Sequence, residues 1–206
     1  MGDSISRVPG WFAMILPIVQ FGHPALRQKG ARIAEVTPEI QELIANMFDT
    51  MYAASGIGLA AQQVGQALQM TVLDVREVKD RPSTLEWEGR PVEVANYMPL
   101  VLINPEVQPL GEFVSGPEGC LSFPEIFEDI ARPASVEVTA MDAKGRPLRF
   151  KAGGLLARAI QHEVDHLNAI LFIDRMPAAT KRALKPQLDH LQQTTKENLS
   201  KSRTKS

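Results

Sequence analysis

The sequence contains a single cysteine, Cys120, among 206 residues. One thiol cannot form an internal disulfide bond, which fits a reducing compartment, so we expect a cytoplasmic protein, with an organelle as the alternative. Neither sign of charge dominates, because 22 lysines and arginines stand against 24 acidic residues and give a net charge of −2. The chain therefore lacks the overall basic field that indicates general nucleic-acid binding.

An apolar run of membrane-spanning length is also missing. The apolar segment 11–19 is interrupted by Pro17 and is not followed by a clear cleavage site. It is too short to span a bilayer and a poor match to a secretory signal. We predict an extended segment here and expect no membrane partner.

Repeats and long linkers are absent as well, so we predict one domain over residues 1–206. The chain is 44% hydrophobic, which is enough for one well-packed core. Within this domain we predict a core over about 14–176, a C-terminal helix over 177–193 and a flexible tail over 194–206.

Hydrophobic periodicity predicts an α+β fold, with small antiparallel or mixed sheets around a central helix and a further helix at the C-terminus. The charged, turn-rich stretch 76–98 is predicted to be a surface insertion. The predicted elements are helices at 37–56, 153–172 and 178–193 (with a kink or restart at Pro186), strands at 68–75 and 100–107, and a hairpin at 135–152.

The stretch HEVDH, residues 162–166, carries the clearest chemical signal. On a helix, His162 and His166 lie one turn apart on the same face and can bind one metal ion. Glu163 stands beside them, where it can take a proton from a water molecule and return it to a leaving group. The alternative is a solvated helix that carries two histidines without a metal.

Two histidines need a third ligand to form a catalytic metal site. Zinc peptidases of the H-E-x-x-H type use a downstream carboxylate, for which Asp174 and Asp189 are weak candidates. Cys120 is the better candidate, because a cysteine with two histidines is a known catalytic ligand set. A lone cysteine is more often a small buried apolar residue, so the residues alone leave this choice open.

Three stretches together resemble the signature motifs of peptide deformylases. They are GIGLAAQQVG (56–65), EGCLS (118–122) and QHEVDHL (161–167), and they occur in that family's order. The resemblance covers most of residues 14–190. It implies a metal-dependent hydrolase that removes the N-formyl group from the initiator methionine of nascent polypeptides and releases formate. A zinc endopeptidase and a non-catalytic, ribosome-associated metal-binding protein are the alternatives.

The resemblance implies that Cys120, His162 and His166 bind one divalent metal ion. In this family the ion is typically Fe²⁺ in cells, and Zn²⁺, Ni²⁺ or Co²⁺ can occupy the site. Zinc binds such ligands more tightly by intrinsic affinity, so iron would reflect availability.

The same resemblance assigns the catalytic and substrate-binding residues. Glu163 is expected to act as base and then as acid, while the Gln63 amide and the Leu121 backbone N–H stabilise the oxyanion. Gly58, Gly119 and Leu121 are expected to bind the formylated peptide.

Two positions depart from the usual family sequence, since glycine is common where this chain has Glu125 and Ala169. We expect the alanine at 169 to be tolerated. The C-terminal region carries a basic excess, including Lys181, Arg182 and Lys196, and related enzymes dock such a helix on the ribosome. We therefore expect formyl-methionyl nascent peptides as substrates, possible ribosome contact through the C-terminal helix, and a monomer.

Overall fold

The computed structural model describes residues 14–203. The first three residues of the apolar segment 11–19 lie outside this range, and its remainder forms neither helix nor strand. No helix within the described residues is both long and apolar enough to cross a bilayer. The elements in chain order are α1 (Pro38–Ala53), β1 (Gly58–Ala60), β2 (Met70–Leu73), β3 (Ser83–Trp87), β4 (Arg90–Val92), β5 (Leu100–Cys120), β6 (Phe123–Met141), β7 (Pro147–Gly153), α2 (Gly154–Leu167), α3 (Phe172–Arg175), α4 (Ala178–Ala183) and α5 (Lys185–Arg203).

The strands form one antiparallel sheet in the order β1-β2-β5-β6-β7-β3-β4. Helix α2 packs against β1, β2, β3, β5, β6 and β7. Its apolar positions Leu156 and Ile160 are fully buried in the core between the helix and the sheet. The expected α+β class, with a helix at the centre and another at the C-terminus, is confirmed.

Most of the stretch 76–98 lies at the surface, as its charge and turns predict, but it is part of the sheet rather than a separate insertion. Strand β3 lies within it and pairs with β7, so that Leu85 lies opposite Ala152. Leu85 is buried in the same core as helix α2. Strand β3 has only five residues and lies between charged stretches, so hydrophobic periodicity does not reveal it.

Strands β5 and β6 are much longer than the sequence predicts. They pair with each other along most of their lengths and form a long two-stranded ribbon that ends at Cys120 and Phe123. Cys120 is therefore the last residue of a strand, although its glycine-flanked surroundings carry few marks of one. This position holds the thiol at the tip of the ribbon, next to helix α2.

The C-terminal helix is longer than predicted. A break at Leu184 separates α4 from α5, which places the restart beside Pro186 as expected. Residues 194–203, which the sequence analysis assigns to a flexible tail, continue α5. Leu188 is buried against the core around Phe123 and Phe172, so this helix is attached to the domain.

The backbone at the end of α2 explains why glycine is usual at the position of Ala169. This residue has φ +62°, in the left-handed region. Its N–H donates to His166 O (3.0 Å), and the Ile170 N–H donates to Asp165 O (2.9 Å). These two bonds form a Schellman cap, whose left-handed position is usually glycine because a Cβ is strained there.

We predict that Ala169→Gly raises the free energy of unfolding by about 0.5–1 kcal/mol. Relief of left-handed strain, roughly 1–2 kcal/mol, outweighs the extra chain entropy of glycine, roughly 0.4–1 kcal/mol. Urea unfolding at a fixed metal concentration measures the difference. The control is Ala45→Gly in the middle of α1, which should destabilise by about 1 kcal/mol. Equal destabilisation by both changes would contradict this explanation.

Candidate metal centre

Three side chains from two distant elements converge at the end of the β5–β6 ribbon. Cys120 closes β5, and His162 and His166 lie one turn apart on α2. One ligand atom from each lies within 4.8 Å of the other two. Both imidazoles are buried, and their ring centroids are 5.1 Å apart at an interplanar angle of 69°.

The distances fit a shared metal ion. Cys120 Sγ lies 3.3 Å from His166 Nε2, whereas two such ligands on a tetrahedral zinc ion stand about 3.6 Å apart. Burial lowers the pKa of His166 well below its usual value, so its imidazole is neutral, the form that binds a metal. One thiol and two imidazoles at these distances are suited to a divalent ion with one position open.

Gln63 presents its amide nitrogen to this centre. Its Oε1 accepts a hydrogen bond from the Ala60 N–H at 2.8 Å. Because a backbone N–H can only donate, this contact fixes which amide atom points the other way. The Nε2 group therefore faces Cys120 Sγ at 3.6 Å and Ser122 Oγ at 3.5 Å. A donor in this position can stabilise negative charge that develops beside the metal.

Glu163 is buried beside the two histidines, and its Oε2 has no hydrogen-bond partner among the described residues. Burial raises the pKa of its carboxyl to about 7. A carboxyl group with this pKa can accept and donate a proton near neutral pH.

The glycine at position 58 is required by the same carboxylate. A Cβ built on Gly58 would overlap the Glu163 carboxylate and stand 2.9 Å from its Cδ. Besides its expected role in binding the peptide, Gly58 therefore leaves room for the Glu163 side chain.

The first histidine is held by a second carboxylate, Glu118. Glu118 Oε2 lies 3.0 Å from His162 Nδ1, so the Nε2 atom is left to face the metal position. Burial alone would raise the pKa of Glu118, but hydrogen bonds with His162 and Arg132 hold it at about 2. The carboxylate is therefore charged and can orient the imidazole.

Arg132 anchors Glu118 with two hydrogen bonds, from Nε at 2.6 Å and from Nη2 at 2.9 Å. Its Nη1 donates to Asp165 Oδ2 on α2 at 2.8 Å. Arg158 also donates to Glu118 (2.8 Å) and to the carbonyls of Ile130 and Val114. The Arg158 side chain, which is 11% exposed, thus joins α2 to the ribbon.

This ion network is the part of the site that sequence reasoning missed. Glu118 and Asp165 lie inside the motifs around Cys120 and His162, but no local spacing pairs them with Arg132. The arginine is 14 and 33 residues away from them, respectively. Only the ribbon, which folds β6 back along β5, brings these groups together.

The remaining predicted substrate-binding residues lie at the ribbon tip. Leu121 is half-buried in the turn after Cys120, and a Cβ on Gly56 would stand 2.8 Å from its Cδ1. Gly119 is covered by Phe127, whose ring would meet a Cβ at 2.5 Å. Gly58 therefore lies against Glu163, Gln63 lies beside Cys120, and Leu121 follows Cys120 in the chain.

The carboxylate alternatives for the third ligand do not reach this centre. Asp174 pairs with Arg27 and accepts the Leu171 N–H. Asp189 lies on α5, is largely exposed and pairs with Lys185. Within residues 14–203, Cys120 with the two histidines is the only group of metal-ligating side chains close enough to share an ion.

Comparison with protein families gives a match to polypeptide deformylases over residues 15–182. The peptide deformylase of Methylacidiphilum infernorum is 44% identical over 178 residues, which is 86% of this chain and 93% of that protein. The peptide deformylase of Acinetobacter baumannii is 40% identical over 86% of this chain and 92% of that protein.

Solved structures give the same result. A peptide deformylase from Synechococcus elongatus, crystallised in complex with actinonin, is 36% identical with a TM-score of 0.71, and 94% of this chain and 93% of that chain are covered. A peptide deformylase from Legionella pneumophila is 32% identical with a TM-score of 0.73, over 87% of this chain and 96% of that chain.

We predict that Arg132→Met lowers the free energy of unfolding by about 3 kcal/mol, because three buried charged hydrogen bonds to Glu118 and Asp165 are lost while Arg158 and Arg175 still donate to these carboxylates. The matched control is Arg149→Met, which removes an exposed ion pair with Glu137 and should cost less than about 1 kcal/mol. Urea unfolding of both variants at one metal concentration gives the comparison. Equal losses would mean that the buried network does not hold the ribbon to α2.

Proposed function

The chain belongs to the polypeptide deformylase family, and on that premise we propose that Cys120, His162 and His166 hold one divalent metal ion beside the catalytic acid–base Glu163. The activity of this protein is the metal-dependent removal of the N-formyl group from nascent peptides. The observation that carries the assignment is the convergence of one sulfur and two imidazole nitrogens within 4.8 Å, next to a buried carboxylate.

The metal, when bound, supplies a Lewis acid that polarises the formyl carbonyl and makes a water molecule more acidic. Glu163 takes the proton from the attacking water molecule. Once the carbon–nitrogen bond breaks, the same carboxyl group gives that proton to the departing amine, which becomes the new N-terminus of the peptide. Formate is the other product. The pKa of Glu163, which is raised to about 7, suits both of its roles.

Two donors stabilise the negative charge on the formyl oxygen in this proposal. The Gln63 amide is already oriented by the Ala60 N–H (2.8 Å), so no reorganisation is needed when the charge develops. The Leu121 N–H, in the turn after Cys120, is the second donor. Gly58 and Gly119 contribute backbone groups that bind the extended peptide.

The physiological ion in this proposal is Fe²⁺, with Zn²⁺, Ni²⁺ or Co²⁺ as replacements that the same ligands accept. We place the enzyme in the cytoplasm as a monomer. The resemblance to the family supports the choice of iron, and the single thiol supports the reducing compartment.

We predict that Glu163→Gln lowers formate release from formyl-Met-Ala-Ser by at least about 100-fold, since a positioned acid–base group contributes roughly 10²–10⁴-fold. Glutamine fills the same space but cannot shuttle the proton. Bound metal, measured by plasma mass spectrometry, should stay at the level of the unmodified enzyme. Retained activity would remove Glu163 from this role.

Cys120→Ser is the complementary control, because it removes a ligand and leaves Glu163 in place. Its metal affinity should fall by more than about tenfold, given that loss of an outer-sphere partner alone costs roughly 10–100-fold. The same metal analysis should find iron in the unmodified enzyme when that enzyme is purified without oxygen. Unchanged metal binding by this variant would rule out the thiol as a ligand.

We also propose that α4 and α5 contact the ribosome. Arg182 and Lys196 are exposed on these helices, while Lys185 is neutralised by Asp189. Exposed lysines and arginines on a helix are suited to the phosphates of ribosomal RNA.

Reversal of both charges, with Arg182→Glu and Lys196→Glu, should weaken co-sedimentation with ribosomes at low salt by about tenfold. Deletion of α5 is avoided because Leu188 is part of the core. Hydrolysis of formyl-Met-Ala-Ser, which needs no ribosome, should not change. If the double variant co-sediments as strongly as the unmodified enzyme, the contact lies elsewhere or does not exist.

A further inference from the structure

The segment before the first helix connects two parts of the candidate centre. Residues 14–21 are here called the N-terminal strap. The Val19 N–H donates to the backbone oxygen of Gln63 at 2.8 Å, and the Phe21 N–H donates to the backbone oxygen of Ser122 at 2.9 Å. Gln63 and Ser122 are 59 residues apart in the chain. The strap therefore holds together two segments that the sequence keeps far apart.

Each of these two segments carries a donor that the proposed function needs. Gln63 supplies its side-chain amide, and Leu121, which supplies its backbone N–H, directly precedes Ser122. Both donors must lie about 2.7–3.1 Å from the same oxyanion, so their separation matters. Val19 and Phe21 are two residues apart, which is at most about 7 Å of chain. The strap thus limits how far the two donor segments can separate.

The direct polar contacts between Gln63 and the ribbon tip are less suited to this task. Its Nε2 lies 3.5 Å from Ser122 Oγ and 3.6 Å from Cys120 Sγ, and the first of these is longer than an ordinary hydrogen bond. Both contacts also use the amide group that the oxyanion needs. The two strap bonds have ordinary lengths and use backbone oxygens, so they remain in place when the amide binds another acceptor.

The strap is itself fixed on both sides of this bridge. Towards the N-terminus, the Leu16 N–H donates to Thr50 Oγ1 on α1 at 2.9 Å, and Thr50 is buried. At the other end, the Phe21 ring stacks on Phe123, with ring centroids 4.9 Å apart and an interplanar angle of 25°. Phe123 is buried in the core beneath the ribbon tip. A segment held in this way can give its two bonded oxygens fixed positions.

We propose that Val19 and Phe21 are positioning residues for deformylation, because their backbone N–H groups set the separation of the Gln63 amide and the Leu121 N–H. The inference rests on the proposed function, in which these two donors stabilise the negative charge on the formyl oxygen. That charge develops in the transition state. Loss of a strap bond should therefore lower kcat and leave KM nearly unchanged.

The first test is Val19→Pro, which removes the N–H that binds Gln63, since proline has no backbone N–H. With formyl-Met-Ala-Ser, kcat should fall by about tenfold, a part of the roughly 10²–10³-fold that loss of a whole donor costs. KM should stay within about twofold, as expected when only transition-state binding is lost. Bound metal, measured by plasma mass spectrometry, should not change, because no proposed ligand is altered.

Gln20→Pro is the matched control, because Gln20 lies between the two bridging residues and is exposed. Its N–H donates to no residue in the described part of the chain. This variant should keep kcat within about twofold of the unmodified enzyme, as is usual for a surface substitution. Equal effects of Val19→Pro and Gln20→Pro would overturn the inference.

A double-mutant cycle separates positioning from a general structural effect. If Val19 acts through the Gln63 amide, then Val19→Pro should lower kcat by less than about twofold in enzyme that already carries Gln63→Ala, because residues that act as a unit are not additive. A tenfold loss in both backgrounds would overturn the inference. So would a rise in KM in place of the fall in kcat.

Phe21→Leu provides a second variant that decides the question if Val19→Pro does not fold. It keeps every backbone N–H and removes the ring stacked on Phe123. Its kcat should fall by about threefold with KM unchanged, which is the scale of one aromatic pair, and an unchanged kcat would overturn the inference. If the unmodified enzyme releases no formate from formyl-Met-Ala-Ser, the proposed function fails and the inference fails with it. Formate release without these variant effects contradicts the inference alone.

Discussion

The rest of the centre depends on the contact between Glu118 and His162. This hydrogen bond joins strand β5 to helix α2, and the strand continues from Glu118 to Cys120, another proposed ligand, only two positions later. The carboxylate that orients one proposed ligand therefore also fixes the strand that supplies another. If Glu118 shifted, both the imidazole and the thiol would lose their positions, although neither residue would have changed.

Such a contact is costly, because it removes a carboxylate from water. The chain offsets this cost with Arg132 and Arg158, which both donate to Glu118, and Asp165 balances Arg132 from α2. Each charge in the group has an opposite charge within hydrogen-bonding distance. A buried network of this kind is worth little as net stability, but it specifies one arrangement of ribbon and helix. That specificity is what a metal site with fixed ligand geometry requires.

The residues of the candidate centre could be identified from the sequence, but the ion network that holds them in place could not. His162 and His166 follow from helical spacing, and the motif resemblance added Cys120 and Gln63, which the structure brings together. The long ribbon and the pairing of β3 with β7 depend on contacts between residues far apart in the chain, which local periodicity does not encode.

Backbone conformation explains the two departures from the family pattern. Glu125 and Ala169 both have φ +62°, so the glycine usually found at each place answers a backbone requirement.

The same ribbon explains why an apolar surface can be kept in water. Along Phe113–Gly119 and Phe127–Pro133 the charged side chains of Glu118 and Arg132 lie inside, and the rings of Phe113 and Phe127 lie outside. Glu118 and Arg132 must face inward to hold His162, and the alternation of a strand then turns Gly119 and Phe127 outward. The network that builds the metal site thus determines which residues are presented on the other face of the ribbon.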